Sequence, residues 1–249
     1  MTKTNKILRT KLRRGFTLVE LLMVIAIIGI LAAIIIPSTQ AVRAAAVRTQ
    51  CISNMRQIGV AVQMYANEHG GRLPKIAHGN AASESWIFTL SRYLGDVDEV
   101  RVSPADPQAE NKRRSSSATT YILNDLVFLE ERDRLTGRTV GPPPNLFQLK
   151  NPSRTILAFT GPVRDDPSQT AFSATNDHTH AGRWNSWARV SNDISPDLHR
   201  SGSQAADRTR GSSNYLFADG RVENFQAQEV KDWVDAGINI ADPKGFNPN

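Results

Sequence analysis

FTLVELLMVIAIIGILAAIII, residues 16–36, decides how this chain is read. It runs for 21 residues with a single charge, Glu20. At about 1.5 Å per residue a helix of this length spans roughly 30 Å, the thickness of a bilayer's hydrocarbon core. Fourteen of its residues are Leu, Ile, Val or Phe. Together they favour insertion by about 4 to 8 kcal/mol, against about 2.5–3.5 kcal/mol for a carboxylate at mid-membrane and less for Glu20 near one end. Insertion wins.

The residues before the segment sharpen this reading. Residues 1–15 contain Lys3, Lys6, Arg9, Lys11, Arg13 and Arg14 and no acid. Such a cluster places the N-terminus in the cytoplasm and the rest of the chain outside. It also accounts for the net charge of +6, since without those six the remaining 24 Lys+Arg balance 24 Asp+Glu. A nucleic-acid-binding reading based on the overall charge therefore loses its support. A secretory signal peptide would have a shorter apolar region and a small-x-small site after it, and Pro37-Ser38-Thr39-Gln40-Ala41 fits poorly. A plain anchor would have no use for Glu20.

Arg13-Arg14-Gly15-Phe16-Thr17-Leu18-Val19-Glu20 resembles the processing site of type IV pilins and type II secretion pseudopilins: a basic leader, Gly before Phe, Glu four residues on, and a long apolar run ending at Pro37. The resemblance implies cleavage by a prepilin peptidase between Gly15 and Phe16 and methylation of the new Phe16 amine. A carboxylate in lipid needs a partner. The amine made by cleavage lies one helical turn from Glu20, on the same chain or a neighbour. The expectation is that cutting supplies the counter-charge and licenses lateral helix packing.

Helical periodicity continues after Pro37. Val42, Ala45, Ile52, Met55, Gly59, Val62 and Ala66 recur at helical steps, with Ile58 and Tyr65 widening the stripe, and Gly70-Gly71 is a stop signal. The pattern predicts one long helix over about 16–68. Two helices broken at Pro37 is the alternative. The single cysteine, Cys51, allows no intramolecular disulfide and reads as a small buried residue of this helix.

The division expected is a leader at 1–15, a transmembrane half-helix at 16–36, an amphipathic half-helix at 37–68 and a globular head at 69–249. Within the head, Ser85–Gly95 reads as a short helix, 101–118 as a polar surface loop, and Thr119–Asn124 and Ser153–Thr160 as strands. Residues 161–212 read as a long, partly ordered loop insertion. Asn214–Phe225 reads as a hairpin turning at Asp219-Gly220, and Gln228–Trp233 as a helical turn or two. The fold class is α+β: a pilin-like long N-terminal helix, its first half transmembrane, packed on an antiparallel sheet.

Asn214–Val222, Thr120–Asn124 and Leu149–Ile156 also resemble a pseudopilin-like family named for a His-x9-Asp-Gly motif. Here the nearest upstream histidine is His199, with 19 residues between it and Asp219, and the position that a nine-residue spacing demands is Thr209. Either ten residues are inserted or the histidine's role is absent. Asp219 reads first as a turn residue. His178 and His180, after Asp177, would share one strand face but lack a third metal ligand. Asp193, Asp197 and Asp207 offer oxygen ligands for calcium, which some pseudopilins bind in a C-terminal loop, although their spacing fits no loop motif. Trp184 and Trp187 read as packing anchors ahead of a sugar or partner platform. No phosphate loop, nucleophile elbow or triad is visible, so the chain is read as a non-enzyme without a cofactor.

The reading is therefore a structural filament subunit. By resemblance its partners are a prepilin peptidase, other pilin-like subunits, an assembly ATPase, a platform protein and the membrane. The rival is a membrane-anchored envelope-binding protein that uses the same leader and never polymerises, with its ligand contacted through 161–212.

Overall fold

The computed structural model describes residues 18–76, 85–95, 97–116, 118–129, 144–163 and 177–246. The chain divides into two compact units, residues 1–45 and 46–249. Helix α1, Leu18–Glu68, is continuous through Pro37, so the single-helix reading holds. Pro37 has no amide hydrogen to give to the preceding turn. Beside it the Ser38 and Thr39 hydroxyls donate to the carbonyls of Ile35 (2.8 Å) and Ile36 (2.9 Å), which occupies carbonyls near the interruption.

In the first unit the described part of α1 is apolar and exposed nearly all round. Val42 and Ala45, expected on the buried stripe, are exposed too. One-sided burial begins at Cys51, in the second unit. Cys51, Met55, Ile58, Ala61, Val62 and Ala66 are buried, while Val60 and Met64 stay exposed. Gly59 lets the helix lie close to the sheet, because a Cβ there would stand 2.9 Å from Leu216 Cδ1. The helix ends where Gly70 and Gly71 take positive φ and the Gly71 amide donates back to the Ala66 carbonyl at 2.7 Å.

The sheet has four antiparallel strands in sequence order: β1 Tyr121–Leu123, β2 Ile156–Thr160, β3 Ser212–Phe217 and β4 Val222–Gln226. Alternation sends Tyr121, Leu123 and Leu216 into one core with α1, and Ile122, Phe159, Tyr215 and Phe217 into another. In β2 the alternation slips. Leu157 and Ala158 both face the α1 core, at the register shift between Ile156 and Ala158. Both faces of β1–β3 are therefore covered, the second by α6 (Trp187–Asp193), α7 (Ala227–Asp235) and Ile240, Ala241 and Phe246 near the C-terminus.

The short helix expected at Ser85–Gly95 is α2, Trp86–Thr89, followed by a 3-10 turn, Ser91–Tyr93. Ser85 caps α2 by accepting the Ile87 amide. Residues 101–118 are not the surface loop expected. They carry the end of α3 (Val97–Arg101) and α4 (Ala109–Arg114) around buried polar groups, and α5 (Asp125–Phe128) follows β1. The Arg101 guanidinium, 0% exposed, donates to the carbonyls of Lys112, Arg113 and Ala118 and to Asp98. Lys112 Nζ stands 2.7 Å from Asp106, which also accepts the Thr120 hydroxyl at 2.6 Å. Polarity suggested a loop, but saturated pairing makes burial affordable.

Candidate functional site: the apolar helix and the head motifs

Glu20 lies in the first turn of the described helix, where the helix dipole favours an acid. Gly15 and Phe16 lie outside the described residues. The flanking helix is long and apolar enough to cross a membrane by length and composition. Its side chains find little cover within their own unit: Leu18, Ile30 and Ile34 are each more than 60% exposed.

In the head, Asp219 and Gly220 form the β3–β4 turn. The loop is three residues long, because the Phe217 amide donates to the Arg221 carbonyl (2.9 Å) and Gly220 to Phe217 (2.9 Å). Only Gly220 takes positive φ there (90°). Asp219 accepts the Arg221 amide at 3.1 Å and pairs with its guanidinium. Arg221 lies over the Phe217 ring at 3.7 Å.

His199 and Ser212 exchange both backbone hydrogen bonds, at 2.9 and 3.2 Å, which forms an isolated antiparallel bridge at the first residue of β3. Residues 200–211 are thus a twelve-residue excursion closed at its base. Ten residues fewer would leave a two-residue turn and nine residues between the histidine and Asp219. The ring of His199 meets the Asn214 amide at 3.2 Å. Burial, aided by the charge of Arg48, pushes its pKa down to about 4, so it is neutral at physiological pH.

The excursion is held by Arg208, the one described non-glycine residue with positive φ (56°). Its guanidinium reaches fully buried Asp197 (2.5 Å), the Ser195 hydroxyl (3.1 Å) and the Ser191 carbonyl (2.5 Å). Residues 177–212 are accordingly built around a buried ion pair, a 3-10 turn (Ala181–Arg183) and α6.

The segments around Asn124 and Asn151 clasp residues 241–246. Asn124 donates to the Ile156 (2.7 Å) and Ala241 (2.9 Å) carbonyls. Asn151 donates to Lys244 O at 2.7 Å, and the Phe246 amide to Arg154 O at 2.7 Å. No sequence pattern pointed to this role, because the partners at the chain's end lie about ninety or more residues away.

The metal candidates do not converge. No group of three or more His, Cys, Asp or Glu able to hold an ion occurs among the described residues. His178 is buried against Asp177 (2.8 Å), whereas His180 is half exposed and bonds Asp193. Asp197 is committed to Arg208, and Asp207 is exposed beside Thr209. Trp184 donates to Asp193 (2.8 Å) and Trp187 to Asp207 O (2.7 Å), as anchors do. Cys51 Sγ is buried 3.0 Å from Ser103 Oγ, and burial raises its pKa, leaving an unreactive thiol.

Comparison with known proteins agrees with this layout. A family model described as a prokaryotic N-terminal methylation motif matches residues 10–36. Another, described as a protein of unknown function (DUF1559), matches residues 40–133. Type II secretion system core protein G of Klebsiella michiganensis is 30% identical over 102 residues, 40% of this chain and 71% of that relative. The chain belongs to the family of type II secretion system core protein G. Prepilin peptidase-dependent protein D of Escherichia coli K12 is 46% identical to this core protein G family member over 59 residues, 24% of the present chain and 40% of protein D. No solved structure matches the chain. As a core protein G family member, the chain is a pilin-like structural subunit, anchored in a membrane by the apolar half of α1.

Proposed function

We propose that this subunit is inserted in the cytoplasmic membrane with residues 1–15 inside and the head outside, is cut between Gly15 and Phe16, is methylated on Phe16, and then packs its apolar helix against copies of itself or related subunits in a type II secretion or pilus-like filament. The observation that carries the reading is the apolar, exposed first half of α1, with Glu20 in its first turn. In lipid that surface is covered by acyl chains; in a filament neighbouring helices would cover it, and Glu20 would meet a Phe16 amine. An assembly ATPase and a platform protein would supply the work of extraction. The chain itself would carry out no catalysis.

The test is the N-terminal peptide mass of the protein recovered from its native envelope, together with cysteine crosslinking between copies at Ile28 or Ile34. N-methylated Phe16 and inter-copy crosslinks are expected. A chain that retains residues 1–15, or one that begins near Ala41, removes the reading. Processing without crosslinks would favour a monomeric anchored binder.

A further inference from the structure

A surface pocket opens on the head. His180, Arg183 and Trp184 come from the 3-10 turn and its flanks, and Arg189, Asn192 and Asp193 from α6. Arg189, Asn192 and Asp193 have i, i+3, i+4 spacing, which puts them on one side of α6. The two sides enclose an open cavity of about 230 Å³.

Asp193 ties the sides together. One oxygen accepts the His180 amide (2.6 Å) and Trp184 Nε1 (2.8 Å), and the other faces His180 Nδ1 at 3.2 Å. Trp184 is packed edge-on against Phe159 of β2, with centroids 5.3 Å apart, so the pocket floor is fixed to the sheet. Asp193 is therefore engaged by two N–H donors and the His180 ring. Arg183 and Arg189 are exposed, and neither guanidinium has an acidic partner among the described residues. The Arg183 and Arg189 guanidinium groups and the Asn192 amide line one cavity in which Asp193 is the only acid among the described residues.

The geometry points to a binding site for an oxyanion, phosphate or carboxylate, held between Arg183 and Arg189 over the Trp184 edge. The site is independent of whether the chain polymerises. Guanidinium groups bind such anions through paired, charge-assisted hydrogen bonds, and a cavity of about 230 Å³ suits a small solute or one substituent of a larger one.

The test is calorimetric titration of the full-length mature chain in a neutral detergent at low chloride, with inorganic phosphate in one arm and glucuronate in the other. Saturable one-site binding is expected in at least one arm, and the tighter arm identifies the anion. The double variant Arg183→Gln/Arg189→Gln is expected to weaken binding by about tenfold or more. It should leave the circular dichroism spectrum unchanged, since both side chains are exposed. Arg56→Gln, at an exposed position on α1, should bind like the wild type. Absence of saturable binding in both arms, or equal binding by the double variant, overturns the site.

Discussion

Residues 18–45 and residues 46–68 belong to one unbroken helix, yet they solve opposite problems. The first stretch is apolar around most of its circumference and exposes nearly all of it. The second is apolar on one side, and it buries that side against β1–β3. A helix greasy all round requires an apolar surrounding, whereas a striped helix requires only a sheet. The head should accordingly draw its stability from within residues 46–249, and the first stretch should draw its own from lipid or from neighbouring helices.

The sharpest way to break this contrast is a matched pair of charge insertions. Ile58 is fully buried under the sheet, and Ile28 is 58% exposed. Ile58→Asp places an unpaired carboxylate in the core and should cost more than about 4 kcal/mol, enough to unfold the head. Ile28→Asp should leave the head folded and weaken membrane insertion by about 3 kcal/mol. All four tryptophans, Trp86, Trp184, Trp187 and Trp233, lie in the second unit, so denaturant unfolding followed by tryptophan fluorescence reads the head alone.

That same contrast explains what could be read from the sequence. The apolar run, the stop at Gly70-Gly71 and the Asp219-Gly220 hairpin depend on neighbours a few residues apart, and all three are visible as local pattern. The burial of Arg101, Lys112 and Asp106 is not, because nothing local announces that carbonyls at Arg113 and Ala118 will gather around Arg101. The order of residues 177–212 was hidden for the same reason. It depends on Arg208 meeting Asp197 across eleven positions and on Trp184 meeting Asp193. The pocket was not legible: Trp184 stood out only as a packing anchor, and its meeting with Arg189 and Asn192 needs the fold of α6.

A charge in each region sharpens the contrast further. Asp197 is 0% exposed and relies on Arg208 and Gln204. Arg208→Met should destabilise the head by about 3–5 kcal/mol, since it strands a buried carboxylate. Adding Asp197→Asn should recover part of the loss, and failure to recover any would mean that the pair is not the source. Glu20→Gln, in the other region, should leave head unfolding unchanged and, on the filament reading, impair assembly measured by sedimentation of filaments. Wild-type assembly by that variant would sink the proposed Glu20–Phe16 contact.

The smallest effects come from two glycines. Gly220 holds φ at 90° in the β3–β4 turn, and a Cβ there would meet only the flexible end of Gln63 at 3.3 Å. Gly220→Ala should therefore cost about 1 kcal/mol, nearly all of it backbone strain rather than collision. Gly29 sits mid-helix, and a Cβ added there would meet nothing within 4 Å. Alanine there favours the helix by roughly 0.5–1 kcal/mol, but that gain is confined to residues outside the head. Tryptophan-detected unfolding should show the Gly220 loss and no shift for Gly29→Ala. Were Gly29→Ala to move the head's midpoint as far as Gly220→Ala does, the two stretches of α1 would share one folding equilibrium, and the division between a lipid-supported half and a self-supported half would have to be abandoned.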